Sequence, residues 1–294
     1  MPRIDFNGGS VEVLDRGNSE PVVALHCSGS TGAQWLPLAA KLGERRRLLA
    51  PDLVGYGGSG PWHGRAAFRL ADEAAAVRSL LGRLGRPAHL VGHSYGGAVA
   101  LHLARTRPER LASLTLVEPV AFQLLRNGEA ADQAALDEIT SVAGELKDAL
   151  AAGDFAGGFG RFVDFWSGPG SWTGMPAEKR AAFAPQLAKV VLDFQAIFSD
   201  PSEIEDLDGI ALPTLLLQGG RTVPASRRIC ARLREALPAA AFRIIDGAGH
   251  MLPITHRDEV DRHIVAHIDA NPVQPRRPTW KACNPQQATV TPGA

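Results

Sequence analysis

A serine enclosed by glycines stands at Gly92-His93-Ser94-Tyr95-Gly96, followed by Gly97-Ala98-Val99-Ala100. In the G-x-S-x-G pattern the serine occupies a strained strand-to-helix turn. The glycines let that turn pass close to its neighbours while the hydroxyl stays exposed. The bare pattern is weak, and its context carries it: AHLV before it reads as strand, AVALHLAR after it as helix. A serine hydroxyl needs a base within hydrogen-bond reach, and nine histidines compete for that role. His250 is preferred, because it closes Asp246-Gly247-Ala248-Gly249-His250 just after the last expected strand. There a loop carries an imidazole over the strand ends, and the chain order suits a serine–acid–histidine set. His263 and His267, four apart on an expected helix, lack a third ligand nearby and read as surface residues. His26 and His93 flank glycine-bearing turns and read as orienting backbone. His63, His89, His102 and His256 have no supporting pattern.

The elements that must position these groups alternate. Residues 11–14, 22–25, 47–50, 89–91, 111–117, 214–217 and 242–245 read as short strands. Residues 33–42, 70–84, 98–105, 226–237 and 258–268 read as helices between or after them. This alternation implies crossover connections and a mostly parallel sheet. No helix separates the runs at 11–14 and 22–25, so the sheet is expected to open with these two as an antiparallel pair. Between 117 and 214 no strand is evident. A structureless loop of that length does not suit a compact domain. Residues 120–206 are therefore expected to form an inserted helical subdomain, with helices at 130–150 and 177–198 separated by the glycine-rich GDFAGGF and SGPGSWTG. The proline-punctuated stretch 271–294 reads as a tail, with Trp280 its one ring.

Composition removes several function classes. The 294 residues carry 31 basic and 31 acidic side chains, which leaves no basic surplus for nucleic-acid phosphates. With 45% apolar residues the chain can build a sizeable core. No apolar run approaches the roughly 18 residues of a membrane span, and MPRIDFNGGSVEV holds no secretory apolar segment. Three cysteines, Cys27, Cys230 and Cys283, suit neither a disulfide framework nor a zinc site. A cytoplasmic protein without metal or cofactor, acting on a small molecule, is expected.

Four segments, LHCSGSTGAQW (25–35), APDLVGYGGS (50–59), LVGHSYGGAVA (90–100) and DGAGHMLP (246–253), stand in the order found in the α/β-hydrolase family. The chain resembles that family over about residues 10 to 270. The resemblance implies an α/β-hydrolase fold with a helical cap at 120–206, between core segments 1–119 and 207–270. It also implies an oxyanion hole of two backbone N–H groups, here those of Tyr95 and Ser28. Cys27 stands where relatives commonly carry glycine. It lacks the serine's elbow and reads as a small buried thiol.

In many relatives the acid follows the strand here at 214–217. This chain has Gly219-Gly220-Arg221-Thr222 there, with threonine at the acid's place and no acidic residue between Asp208 and Glu235. A minority of the family places the acid one strand earlier, where this chain offers Glu118. A carboxylate ending an apolar strand is costly without a partner, so Glu118 is the expected acid. The alternative leaves Glu118 as an entry cap and His250 oriented by Thr222 or water. Asp52 reads as turn-forming, and Asp246 as closing the histidine loop.

Ten of the eighteen aromatic rings fall within 120–200. Most must pack that region onto the rest. A few, with Phe162, Trp166 and Trp172 as candidates, are expected to line a pocket over Ser94. The expected activity is hydrolysis of a small-to-medium ester through an acyl-enzyme. The rivals are carbon–carbon hydrolysis of a ring-cleavage dione, cofactor-free perhydrolysis, and a weakly catalytic ligand-binding protein on the same scaffold.

Overall fold

The computed structural model describes residues 2–64 and 66–273. Its strands are β1 (Arg3–Phe6), β2 (Gly9–Arg16), β3 (Glu20–Leu25), β4 (Arg46–Pro51), β5 (Ala88–His93), β6 (Leu111–Val117), β7 (Thr214–Gly219) and β8 (Ala241–Ile245). They form one sheet in the order β1-β2-β4-β3-β5-β6-β7-β8, parallel from β4 through β8. The helices are α1 (Leu36–Leu42), α2 (Leu70–Arg83), α3 (Tyr95–Thr106), α4 (Ala130–Ala151), α5 (Phe155–Ser167), α6 (Ala177–Phe183), α7 (Leu187–Phe198), α8 (Pro224–Ala236), α9 (Leu252–Thr255) and α10 (Arg257–Ala270).

The central strands are apolar at consecutive positions because both faces are covered. Alternate side chains go to opposite faces. In β3, Val23 and Leu25 join the cluster that includes Leu81 of α2, Leu103 of α3 and Ile229 of α8. Val22 and Ala24 join Leu38 of α1 and Ile264 of α10 on the other face. The result is the α/β-hydrolase architecture, a mostly parallel sheet flanked by helices.

Two expectations about the sheet need correction. The runs at 11–14 and 22–25 are not partners: β2 pairs antiparallel with β1 and β4, and β4 separates it from β3. A missing helix between two runs limits how the chain reverses, and it leaves the neighbour undetermined. β1 escaped the sequence reading because its four residues form a short edge strand with only Ile4 buried.

The region between β6 and β7 contains four helices, one of them unexpected. The glycine-rich GDFAGGF is the start of α5. The Asp154 side chain caps it by accepting the Gly157 N–H at 2.9 Å. Gly158 serves close packing, because a Cβ there would lie 2.5 Å from Leu187 of α7. The expected helix at 177–198 is divided by a 3₁₀ turn containing Pro185 into α6 and α7. Ala177–Phe198 taken together reaches the length and mean hydropathy of a membrane-spanning segment, although Lys189 and Asp193 interrupt its apolar run. However, α7 buries Lys189 and Asp193 in ion pairs with each other and with α2, which places its polar face inside this protein. All of the expected tail beyond residue 273, including Trp280, lies outside the described residues.

Candidate active site

Parallel strands end on one edge of the sheet, and five of these ends carry the candidate residues. β5 leads directly into Ser94, the residue before α3, at φ 55 and ψ −118. L-residues rarely adopt this conformation. It persists because its surroundings hold both backbone groups: Ser94 N–H donates to Val117 O at 3.0 Å, and Ser94 O accepts from Val120 N–H at 3.2 Å. The elbow requires its glycines. A Cβ on Gly92 would stand 2.3 Å from Gly96 O, and one on Gly96 would stand 2.5 Å from Leu25 O. Glu118, at the end of β6, is the other non-glycine residue with positive φ among those described, at 43°.

The loop after β8 brings His250 between them. Ser94 Oγ donates to His250 Nε2 at 2.9 Å, and His250 Nδ1 donates to Glu118 Oε2 at 2.7 Å. All three side chains are buried. Glu118 has the partners that a buried carboxylate needs. Gly219 N–H donates to Oε1 at 2.7 Å, and Thr222 Oγ1 donates to Oε2 at 2.5 Å. Thr222, in the loop after β7, thus holds the carboxylate that the neighbouring strand supplies.

Ser226 and Gln34, which no sequence pattern singled out, add support around His250. Ser226 Oγ lies 3.2 Å from His250 Nδ1. His93 Nε2 donates to the His250 carbonyl at 3.0 Å, while its Nδ1 accepts from Gln34 Nε2 at 3.1 Å. Burial pushes the His93 imidazole down to about 3, so it serves as a neutral donor. His26, pushed down to about 4 by burial, donates from Nδ1 to Cys27 O and accepts the Leu53 N–H at Nε2. Both histidines orient backbone, as expected. The Asp52 carboxylate closes turns by accepting the Gly32 and Gly58 N–H groups. Asp246 does not close the histidine loop. Its side chain is exposed, and backbone bonds from Gly220 to Ile245 and from Arg221 to Ala248 hold that segment.

Tyr95 opens α3, so its N–H has no acceptor within the helix. The next amide, Gly96 N–H, donates to His26 O at 3.1 Å and ties the elbow to the loop after β3. That loop carries Cys27 and Ser28 to the site, where both line a cavity with Ser94 and His250. Cys27 has no positive φ, so this loop does not need a glycine there. Burial pushes its thiol up to about 12, which keeps it protonated and a poor nucleophile at neutral pH.

The cavity measures about 210 Å³. Phe159, Phe162, Trp166, Met175 and Ile254 form much of its wall, and among the described residues no lysine, arginine, aspartate or glutamate lines it. Trp166 packs against His250 with ring centroids 4.1 Å apart and the planes tilted by 30°. Trp172, expected to face the pocket, does not line it. It packs behind Phe159 at 5.7 Å between centroids, with its N–H backbone group bound to Asp164. The turn after α5 folds Trp172 back onto that helix. Among the described residues, no group of three acidic, histidine or cysteine side chains is arranged to hold a metal.

Relatives bear on these observations. Residues 22–262 match the model of the alpha/beta hydrolase family. The chain is 28% identical to a pimeloyl-[acyl-carrier protein] methyl ester esterase of Aeromonas hydrophila, over 87% of this chain and 99% of that protein. It is 42% identical to lipase LipV of Mycobacterium tuberculosis, but over only 33% of this chain and 36% of LipV's length. Among solved structures, the enol-lactonase of Burkholderia xenovorans LB400 superposes with a TM-score of 0.70 at 20% identity, covering 90% of this chain and 99% of that one. At that identity the likeness speaks for the fold alone. The strand order, the serine elbow at the end of β5 and the family match over most of the chain agree, and the chain belongs to the alpha/beta hydrolase family.

Proposed function

We propose that this chain is a serine hydrolase that cleaves a small-to-medium, uncharged carboxylic ester through an acyl-enzyme on Ser94. The observation that carries the reading is the continuous Ser94–His250–Glu118 hydrogen-bond chain beneath an apolar cavity. His250 Nε2 takes the Ser94 proton as Oγ bonds to the carbonyl carbon, and Glu118 holds Nδ1–H towards itself and balances the imidazolium. The N–H groups of Ser28 and Tyr95 receive the oxyanion. His250 then returns the proton to the departing alkoxide. Water, deprotonated by His250, attacks the acyl carbon, and Ser94 leaves with its proton restored.

The helices α4 to α7 act in this reading as a cap that supplies the apolar wall. The described wall residues include no lysine or arginine to meet a substrate carboxylate, which disfavours charged acyl groups and carboxylate-bearing diones. Ester hydrolysis by the full-length esterase relative supports the same choice.

The test is a panel of aryl esters of graded acyl length with lactones, a thioester and a ring-cleavage dione, each reaction quenched for mass analysis of the Ser94 peptide. The acyl mass should appear on Ser94 with esters. Each added methylene should raise kcat/KM about fourfold, worth about 0.8 kcal/mol, until the cavity is full. Phe162→Ala should move the maximum to longer chains with little loss on acetate. Turnover of the dione alone, or no acyl adduct with any ester, would overturn the proposal.

Trp166 covers one face of His250 and stabilises the imidazolium that forms during attack. Cation–π contacts contribute about 0.5–2 kcal/mol. Trp166→Leu should therefore lower kcat on acetate esters by about 2- to 30-fold, as read from steady-state rates. An unchanged kcat would limit Trp166 to packing.

A further inference from the structure

The two residues assigned above to the oxyanion hole also meet, through their side chains, at one buried ion cluster. Ser28 Oγ donates to Asp193 Oδ2 at 2.6 Å, and Tyr95 OH donates to Glu73 Oε2 at 3.2 Å. Lys189 bridges the two carboxylates, donating to Glu73 Oε2 at 3.2 Å and to Asp193 Oδ1. Its ammonium lies 4.8 to 4.9 Å from the ring centroids of Tyr56, Phe68 and Tyr95. Tyr56 OH adds a second donor to Asp193 Oδ2 at 2.5 Å. Glu73, Asp193 and Lys189 are all buried, and they come from two helices, α2 and α7.

Buried ion groups of this kind seldom repay their desolvation as stability, since apolar residues of the same volume often do as well. The cluster is instead distinguished by what it reaches. Of its two carboxylates, one holds the side chain of each residue whose amide faces the oxyanion. We propose that the Glu73–Lys189–Asp193 cluster positions the oxyanion hole, clamping the Ser28 and Tyr95 backbones through their hydroxyl groups. Lys189, Asp193 and Glu73 are positioning residues, and α7 thereby links the helices above the site to the alignment of its donors. The inference rests on the assignment of Ser28 and Tyr95 as oxyanion donors.

Ser28→Ala keeps the amide and removes the tether. It should lower kcat by about 10- to 100-fold, because misplacing a donor costs part of what deleting it would. Affinity for a trifluoromethyl ketone, which forms a tetrahedral oxyanion adduct, should fall by the same factor, while KM stays within about twofold. Ser28→Thr should restore both. Asp193→Asn should show the same split, and the double variant should be no worse than the worse single, as for two parts of one tether. Lys189→Met should resemble Asp193→Asn if it folds, and the Ser28 variants decide the matter if it does not. Val142→Ala, a core truncation in α4, should lower melting temperature without the split.

An unchanged kcat and ketone affinity in Ser28→Ala overturns the proposal. So does an additive double variant, which would place the Ser28 hydroxyl on the substrate, or a loss of stability alone. Failure of the underlying hydrolase reading looks different: wild-type protein would form no adduct on Ser94 with the ketone or with an ester.

Discussion

Ser94→Ala should abolish turnover, by about 10⁴-fold or more, and should abolish labelling by a fluorophosphonate probe. The magnitude follows from the arrangement: removing the nucleophile leaves only binding and oxyanion stabilisation, and members of such a set act as a unit. The fold should survive, since Oγ makes one bond, to His250, and the backbone bonds to Val117 and Val120 remain. A companion variant reads the strain at this position. Ser94→Gly should be equally inactive yet more stable than Ser94→Ala, by about 1 kcal/mol, because glycine tolerates φ 55 and offsets only part of that gain by its greater unfolded-state freedom. Chemical denaturation of the two variants measures the difference. Labelling of another residue with turnover intact in Ser94→Ala would remove Ser94 from the mechanism.

Glu118→Gln should lower kcat by about 10⁴-fold with the fold intact and KM little changed. The carboxylate accepts three hydrogen bonds, from Gly219 N–H, Thr222 Oγ1 and His250 Nδ1. An amide supplies one accepting oxygen and one donating nitrogen in the same space. The arrangement that satisfies Gly219 turns the amide nitrogen towards His250, so the imidazole must present Nδ1 as acceptor and carry its proton on Nε2. In that tautomer Nε2 faces Ser94 with a hydrogen and cannot take the serine proton. Thr222→Ala removes a single donor to the same oxygen and should cost far less, about 150-fold at most, since one hydrogen bond to a charged group is worth about 1.5–3 kcal/mol. Steady-state kinetics with circular dichroism as the folding control decide between them. Full activity in Glu118→Gln, or a larger loss in Thr222→Ala, would mean that the threonine at the usual acid position orients the histidine.

The sequence by itself determined those features that depend on neighbours along the chain. Ser94 was legible because a strained elbow demands small residues on either side, and Gly92 and Gly96 occupy places where a Cβ would strike backbone. His250 was legible from its short glycine-bearing loop after a strand. Glu118 was expected from the resemblance to the family, since Thr222 stands at the usual place of the acid and a minority of relatives carry it one strand earlier. The parallel strands were legible because coverage on both faces imposes long apolar runs. β1 has one buried residue in four and left no such trace. Glycines misled the reading of α5, because helix propensity weighs them as breakers, whereas Gly158 exists for the approach of Leu187, a contact between separate helices.

Tertiary structure decided the rest. Which strand lies beside β2 depends on the whole sheet order and not on the length of a connection. Trp166 and Trp172 are equivalent by composition, yet one packs against His250 and the other behind Phe159, because the turn after α5 sends them to opposite sides. Ser28 and Asp193 stand 165 residues apart. No periodicity or motif couples positions so distant; only folding two helices against the loop after β3 brings a buried ammonium between their carboxylates. A lysine and an aspartate four residues apart inside the apolar α7 were the one local trace of that cluster. Local sterics write themselves into adjacent residues, whereas pairing and packing between remote elements are decided only when the chain is folded.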